Sequence, residues 1–312
     1  MRSHRAPLEE HVQADTRFDY TAVGHVTADV FEDGSRRPGG GALYSALQAA
    51  RLGQRTQIIT QGVQRELEAL LEPFRDELAV RILPAPHTTT LHTSGPGPNR
   101  RQRVLAWAGT MDEELDVDTT ILHLAPVARE TAPGWRGSVR FVGLTPQGLV
   151  RMWAADGDYI AHTPLAPTAL PARCDAIVIS AAELESCSWL LLQDDQRGGA
   201  VRPLVAVTAA HAPTALYLPD GKVAEIPVAP VESFADDLGA GDVFAAAFFI
   251  ALTHGAEPLA AASFASAAAA VRIAGVGPQA IGRGAAIERR ALSATPGAGA
   301  SSAVAQGEVE GS

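Results

Sequence analysis

Short, continuously apolar runs alternate with alanine- and leucine-rich stretches along this 312-residue chain, and that alternation restricts the fold more than any other feature. YTAVGHV (20–26) is followed by GALYSALQAARLG (41–53), then TQIITQGV (56–63) and QRELEALLEPF (64–74). Further apolar runs are TTILHLAP (119–126), VRFVGLTP (139–146), DAIVISA (175–181), PLVAVTAA (203–210) and TALYLP (214–219). Runs that are apolar throughout, not at every second position, suit parallel strands covered on both faces. Helical stretches between them suit crossover connections. The sequence therefore predicts an α/β fold with a doubly wound, mostly parallel sheet. Residues 87–108 differ, because TTTLHTSGP and RQRVLAWAG are more polar and flank a Gly/Pro/Asn turn. They read as a projecting β-hairpin.

An apolar content of 46% supports one sizeable domain over residues 18–292. Residues 1–17 lack periodicity and 293–312 are rich in Gly, Ala and Ser, so both read as disordered tails. A net charge of −10 argues against nucleic acid or an anionic membrane surface as the main partner, since both attract basic patches. Lys222 is the only lysine, so arginine carries nearly all positive charge. Cys174 and Cys187 have no metal-ligand spacing, and the nine histidines form no His-x-His or His-x-x-x-His pair. The most apolar run, Val243 to Leu252, is about half the ~20 residues a membrane-spanning helix needs. No apolar core marks the N-terminal stretch as a leader, and a cytoplasmic location is the expectation.

The most informative segment is Asp236-Asp237-Leu238-Gly239-Ala240-Gly241-Asp242, directly before the apolar helix VFAAAFFIAL. Its small residues let the backbone approach a ligand, and the helix start aims free N–H groups and a positive dipole end at that spot. An anion fits there. Asp242 would lie beside it, able to accept the proton of an attacking hydroxyl as a phosphoryl group arrives. An isolated Gly-x-Gly-Asp equally suits an ordinary capped loop. The commonest rival phosphate motifs are excluded: Phe244 stands where a dinucleotide fingerprint needs its third glycine, and Lys222 is followed by Val223, not by Ser or Thr.

Gly39-Gly40-Gly41 opens a second helix, and such a trio permits close approach to a hydroxyl-rich ligand or serves as a flexible joint. Thr145-Pro146-Gln147-Gly148 follows a strand where doubly wound folds bind ligands, and also suits a plain turn.

Asp236 through Asp242 resembles the D-T-x-G-A-G-D signature of the ribokinase-like (PfkB) carbohydrate kinase family, with Asp237 in place of threonine. Gly24, Asp29, the Gly39-Gly40 pair and a helix ending Arg51-Leu52-Gly53 are similar to the family's first signature, with Tyr44 replacing its asparagine. The resemblance implies a divergent member that phosphorylates a hydroxyl of a sugar, polyol, inositol or nucleoside, using ATP and Mg2+. Asp242 would then be the catalytic base, and Gly239, Ala240 and Gly241 the anion hole. Asp29 with Gly39, Gly40 and Gly41 would grip the acceptor, although Asp29 equally suits a solvated turn.

Residues 30–38 and the 87–108 hairpin would close as a β-lid, through which a homodimer could form. Arg101 and Arg103 fit either an inward phosphate contact or the hairpin's solvated face. On the donor side the resemblance gives Asp236, Thr208, Ser180 and Glu183 to the nucleotide, with Glu183 ordering magnesium-bound water. Glu183 equally suits charge compensation at a helix start, and a second register would use Glu185 with Ala182. Ala210 and Pro213 replace both glycines of the family's T-x-G-x-x-G turn, which implies altered or weakened donor contacts. An added charge at Asp237 points the same way. A ligand-binding or regulatory protein with impaired catalysis is the alternative reading.

Overall fold

A computed structural model describes residues 17–95, 99–111, 114–132, 134–154, 159–192, 202–210, 212–231 and 233–294. Apart from Arg17, Ser293 and Ala294, the two expected tails lie outside the described residues, as does His211. In chain order the elements begin with β1 (Phe18–Val23), β2 (Thr27–Phe31), β3 (Arg36–Gly39), α1 (Gly41–Arg51), β4 (Thr56–Gly62), α2 (Gln64–Leu71) and β5 (Ala79–Pro84). Next come β6 (Thr90–Ser94), β7 (Arg101–Ala106), β8 (Leu115–Asp116), β9 (Thr119–Leu124), β10 (Trp135–Arg136), β11 (Val139–Leu144), β12 (Arg151–Met152) and β13 (Ala161–His162). The chain continues through β14 (Ala176–Ser180), β15 (Leu204–Thr208), β16 (Thr214–Tyr217), β17 (Val223–Ile226), α3 (Ala240–Thr253), α4 (Pro258–Arg272) and α5 (Gly284–Ala294).

Nine strands form the main sheet in the order β17-β16-β15-β14-β11-β9-β1-β4-β5. All neighbours from β15 to β5 run parallel, and β16 and β17 append an antiparallel edge. The continuously apolar runs are buried on both faces, as in β14, where Ala176, Val178 and Leu204 of β15 face one core and Ile177 and Ile179 the other. α1, α3 and α4 cover the first face, α3 and α4 meeting through closely spaced alanines.

The second face has a different cover. Among the described residues between β11 and β14 none is α-helical, and short 3-10 turns, at Pro146–Val150 and Pro167–Ala169, stand there with the β12–β13 pair. Four prolines between 145 and 175 remove the donors a crossover helix would need. Val150 and Leu165 fill that side of the core from these irregular segments, and Cys187 and Leu190 do so from the stretch between β14 and β15. The winding predicted from the alternation is present, but with helices of ordinary length on one face only among the described residues.

A second sheet, in the order β3-β2-β6-β7, stands apart from the first. The segment read as a hairpin supplies β6 and β7, which pair antiparallel, while β2 pairs parallel to β6 and antiparallel to β3. Arg101 and Arg103 lie on the exposed side of β7, both stacked on the ring of Tyr159. No helix among the described residues is long and apolar enough to cross a membrane.

Candidate active site

The carboxyl ends of the central parallel strands converge beneath the small sheet, and the chain places most of its candidate residues just beyond those ends. α3 begins there because Gly239, in the left-handed region at φ 74°, turns the chain into the helix. Tyr44 packs so closely behind Gly239 that a Cβ would overlap its ring. Tyr44 is thus buried under the anion turn and does not line the acceptor pocket, where the resemblance would put it. The Ala240 amide closes its own turn on Asp237 O at 3.2 Å. Gly241 and Asp242 follow as the first helical amides, with no backbone acceptor among the described residues.

The carboxylate of Asp242 lies over α1. A Cβ at Gly41 would come 2.8 Å from Asp242 Oδ1, so only glycine leaves that space. Ser45 Oγ donates to Asp242 O at 3.5 Å, joining the two helix starts. Burial pushes the Asp242 carboxyl up to about 7, and the neighbouring Glu183 charge adds to the rise while Arg151 opposes it. Asp29, on β2, is buried, and its Oδ1 accepts from Thr27 Oγ1 at 2.7 Å. Burial raises it to about 6 against the pull of Thr27, Arg151 and Arg100. Gly39 faces Asp29 Oδ2 and Gly40 (φ 95°) faces His25 O, each so closely that a Cβ would collide. Glu130, 1% exposed, braces this side by accepting from the amides of His25 (2.8 Å), Val127 (2.8 Å) and Ala128 (2.6 Å).

On the other side, Glu183 is buried and turns back on its own 3-10 turn, where Ser180 N–H donates to Glu183 Oε2 at 2.8 Å in a capping box. Its charge still acts on Asp242 and Arg151. Thr208 ends β15, with Oγ1 donating to Ile179 O at 3.2 Å. Asp236 has its carboxylate engaged internally, accepting from Leu238 N (3.0 Å), Gly277 N (3.1 Å) and Arg272 Nη2 (3.0 Å). Burial pushes its pKa up, but the hydrogen bonds from Leu238, Gly277 and Arg272 outweigh burial and hold the carboxyl below the usual carboxylate range. Asp237 pairs with Arg100, which arrives from the loop between β6 and β7. The extra negative charge at that position therefore has a cation beside it.

The sequence alone did not single out Arg151 as part of the site. Arg151, on β12, is buried with Nη1 on Val127 O (2.9 Å) and Nη2 on Gln102 Oε1 (2.9 Å), and its Nε has no partner among the described residues. Its charge reaches Glu183, Asp29, Glu130 and Asp242. The only signal was its place just past the Thr145–Gly148 turn. Asp242, Glu183, Asp29 and Arg151 thus share one electrostatic neighbourhood, with Ser180 bonded to Glu183.

Magnesium usually keeps several waters and takes one or two protein carboxylates plus substrate phosphates. Glu183, buried and close enough for its charge to act on Asp242, fits that role. Among the described residues no three or more His, Cys, Asp or Glu stand together to hold a metal ion.

An acid at a helix start, open amides beside it and a glycine-lined cradle lie together at the carboxyl ends of a doubly wound sheet, where such folds bind ligands. Comparison makes the class narrower. Residues 155–282 match the model of the pfkB family carbohydrate kinases. The whole fold resembles a pyrophosphate-dependent kinase in the ribokinase family complexed with a pyrophosphate analog and myo-inositol, with TM-score 0.65 and 21% identity over 88% of this chain and 99% of that one. Nucleoside kinase from Methanocaldococcus jannaschii aligns with TM-score 0.67 and 19% identity, covering 88% and 98%. Arabidopsis thaliana ribokinase, complexed with ribose and ATP, aligns with TM-score 0.66 and 17% identity, covering 88% and 99%. No curated protein sequence matches the chain. The fold is ribokinase-like, and residues 155–282 carry the pfkB family pattern.

Proposed function

We propose that this protein is a phosphotransferase that moves a phosphoryl group onto a hydroxyl of a sugar, polyol, inositol or nucleoside. The observation that carries this is the position of Asp242, between the open amides at the start of α3 and the Gly39–Gly41 cradle with Asp29. An acceptor hydroxyl in the cradle would face Asp242, which takes its proton as the oxygen attacks. A carboxyl raised to about 7 suits a base working near neutral pH. The amides of Gly241 and Asp242 and the α3 dipole would stabilise the phosphoryl oxygens. Arg151 supplies a buried positive charge within reach of the same charge cluster.

The donor in this reading is ATP with Mg2+, held on the side of Thr208, Ser180, Glu183 and Asp236. Mg2+ would supply charge neutralisation on donor phosphates, with Glu183 orienting its waters. Because a similar fold belongs to a pyrophosphate-dependent kinase, inorganic pyrophosphate is the second donor to test. The exposed face of β7 that carries Leu105 would be the surface for a homodimer through the small sheet. The replaced glycines at Ala210 and Pro213 favour one other reading, a ligand-binding protein with weakened turnover.

The deciding experiment is a thermal-shift screen of sugars, polyols, inositols and nucleosides, each with ATP–Mg2+ or pyrophosphate–Mg2+, followed by phosphate-transfer assays on the hits. A ligand bound only by the folded state raises the melting temperature. Transfer onto any hydroxyl supports the kinase. Acceptor binding with no transfer from either donor would favour the binding protein.

A further inference from the structure

Arg272, at the end of α4, is 0% exposed and heads the largest side chains so fully enclosed. It does not touch the candidate base, yet its guanidinium gathers the segments that shape the anion turn. Nη1 donates to Gly275 O at 2.9 Å and to Asp236 O at 3.3 Å. Nη2 donates to Leu238 O at 2.7 Å and to Asp236 Oδ2 at 3.0 Å. Its flat face lies against Tyr44, 5.2 Å from the ring centroid, and Tyr44 in turn backs Gly239.

Desolvating a cation is costly unless charge and hydrogen bonds replace the lost water. Here one carboxylate and three carbonyl oxygens do so for the two terminal nitrogens, while Nε has no partner among the described residues. Carbonyls turned inward on one point repel one another when no positive charge sits between them. Such a set of oxygens is the kind of cage that holds a hard cation. A forked guanidinium also fixes direction, since each N–H has a set angle. The carbonyls of Asp236 and Leu238 are thereby oriented, and the left-handed Gly239 and the amides behind it follow.

We infer that Arg272 is a built-in cation that positions the anion turn, so that the Gly241 and Asp242 amides stand ready for a phosphoryl group before any ligand arrives. This rests on the reading of Gly239–Asp242 as the phosphoryl site. Arg272 is a positioning residue, acting through Asp236, Leu238 and Tyr44.

The test compares the full chain with Arg272→Ala, which leaves a guanidinium-sized space, and Arg272→Lys, which keeps charge without the fork. Amide hydrogen exchange is followed by mass spectrometry over 236–242 and over β1 and β9. Binding of inorganic pyrophosphate and of ATP–Mg2+ is measured by calorimetry, with and without non-denaturing guanidinium. In Arg272→Ala, exchange over 236–242 should rise about tenfold or more with β1 and β9 unchanged, and affinity for the bound donor should fall about tenfold. Guanidinium should restore both in this variant and neither help nor harm the parent, and Arg272→Lys should fall between.

If Arg272→Ala does not fold, Tyr44→Leu breaks the link to Gly239 and should speed exchange over 238–242 while leaving 272–277 protected. Unchanged exchange over 236–242, or weakened binding that guanidinium does not restore, would overturn the inference. A parent protein that binds neither donor sinks the kinase reading and the phosphoryl part of this one, and the exchange results then judge the ordering of the turn by themselves.

Discussion

The two sides of the cleft are built differently. On the acceptor side, Thr27, Asp29 and Glu130 are buried and hydrogen-bonded, and glycines 39 to 41 leave space that a single added carbon would fill. On the donor side the β15–β16 turn carries Ala210 and Pro213, and Phe234 in the approach to the anion turn is 57% exposed. Asp237 there finds its charge partner only by reaching to Arg100 of the small sheet's loop. In the proposed reading, the contrast teaches that the acceptor half is preorganised by packing, while the donor half depends on ion pairs between separate segments. Packing resists change sharply, and a part-exposed ion pair contributes less.

The residue shared by both sides should show the largest effect. Asp242→Asn is expected to lower turnover by about a thousandfold or more, with acceptor affinity within a few-fold of the parent, because the carboxylate acts on the proton in flight. Parallel rate and calorimetric titrations measure this, and undiminished turnover would remove Asp242 from the role of base. In the parent, turnover should rise with pH and level off above about 7, as the carboxyl ionises.

The sign for stability is the reverse. A carboxyl raised in the folded state binds its proton more tightly than in the unfolded chain, so its contribution is present below the unfolded value near 4 and is lost as pH climbs through about 7. Asp242→Asn should therefore melt higher than the parent at pH 8, by roughly 2–5 °C, and by less at pH 5.

Glycine substitutions sharpen the contrast between the sides. Gly39→Ala places a carbon against the Asp29 carboxylate and should weaken acceptor binding by about a hundredfold while donor affinity holds. Gly239→Ala, strained at φ 74° and driven into Tyr44, should do the opposite. Titration of each ligand into each variant separates them, and equal losses of both ligands in either variant would break the division proposed here.

The ion pair should matter less. Removing the negative charge with Asp237→Thr is expected to improve ATP–Mg2+ or pyrophosphate affinity by about tenfold, since a like charge beside phosphates opposes binding. Arg100→Ala should weaken it by a similar factor, because Asp237 then stands unpaired. Calorimetry at low and high salt checks both, and the differences should shrink as salt screens them. The smallest effect belongs to Arg101→Ala and Arg103→Ala. Both side chains stack on Tyr159 at the exposed face, and kinetic constants should stay within about twofold of the parent, as for most surface changes.

Local pattern alone determined a good part of this protein. Continuous apolar runs require two-sided burial wherever they fold, so the parallel sheet was legible, and so was the helix start after Gly239-Ala240-Gly241 with an acid in its first turn. The polar stretch over 87–108 likewise announced a separate hairpin. Tertiary structure decided what distance along the chain conceals. The sequence cannot show that Arg272 lies under the anion turn 36 residues behind it, nor that Arg100 meets Asp237 across 137 residues.

Tyr44 was legible only as a replacement for the asparagine of a signature, and the fold makes it a wall behind Gly239 because helix α1 turns that face inward. Arg151 and Arg272 looked like any of the chain's many arginines. A buried charge is recognised only by the carboxylates and carbonyls that surround it, and those come from separate segments brought together by the fold.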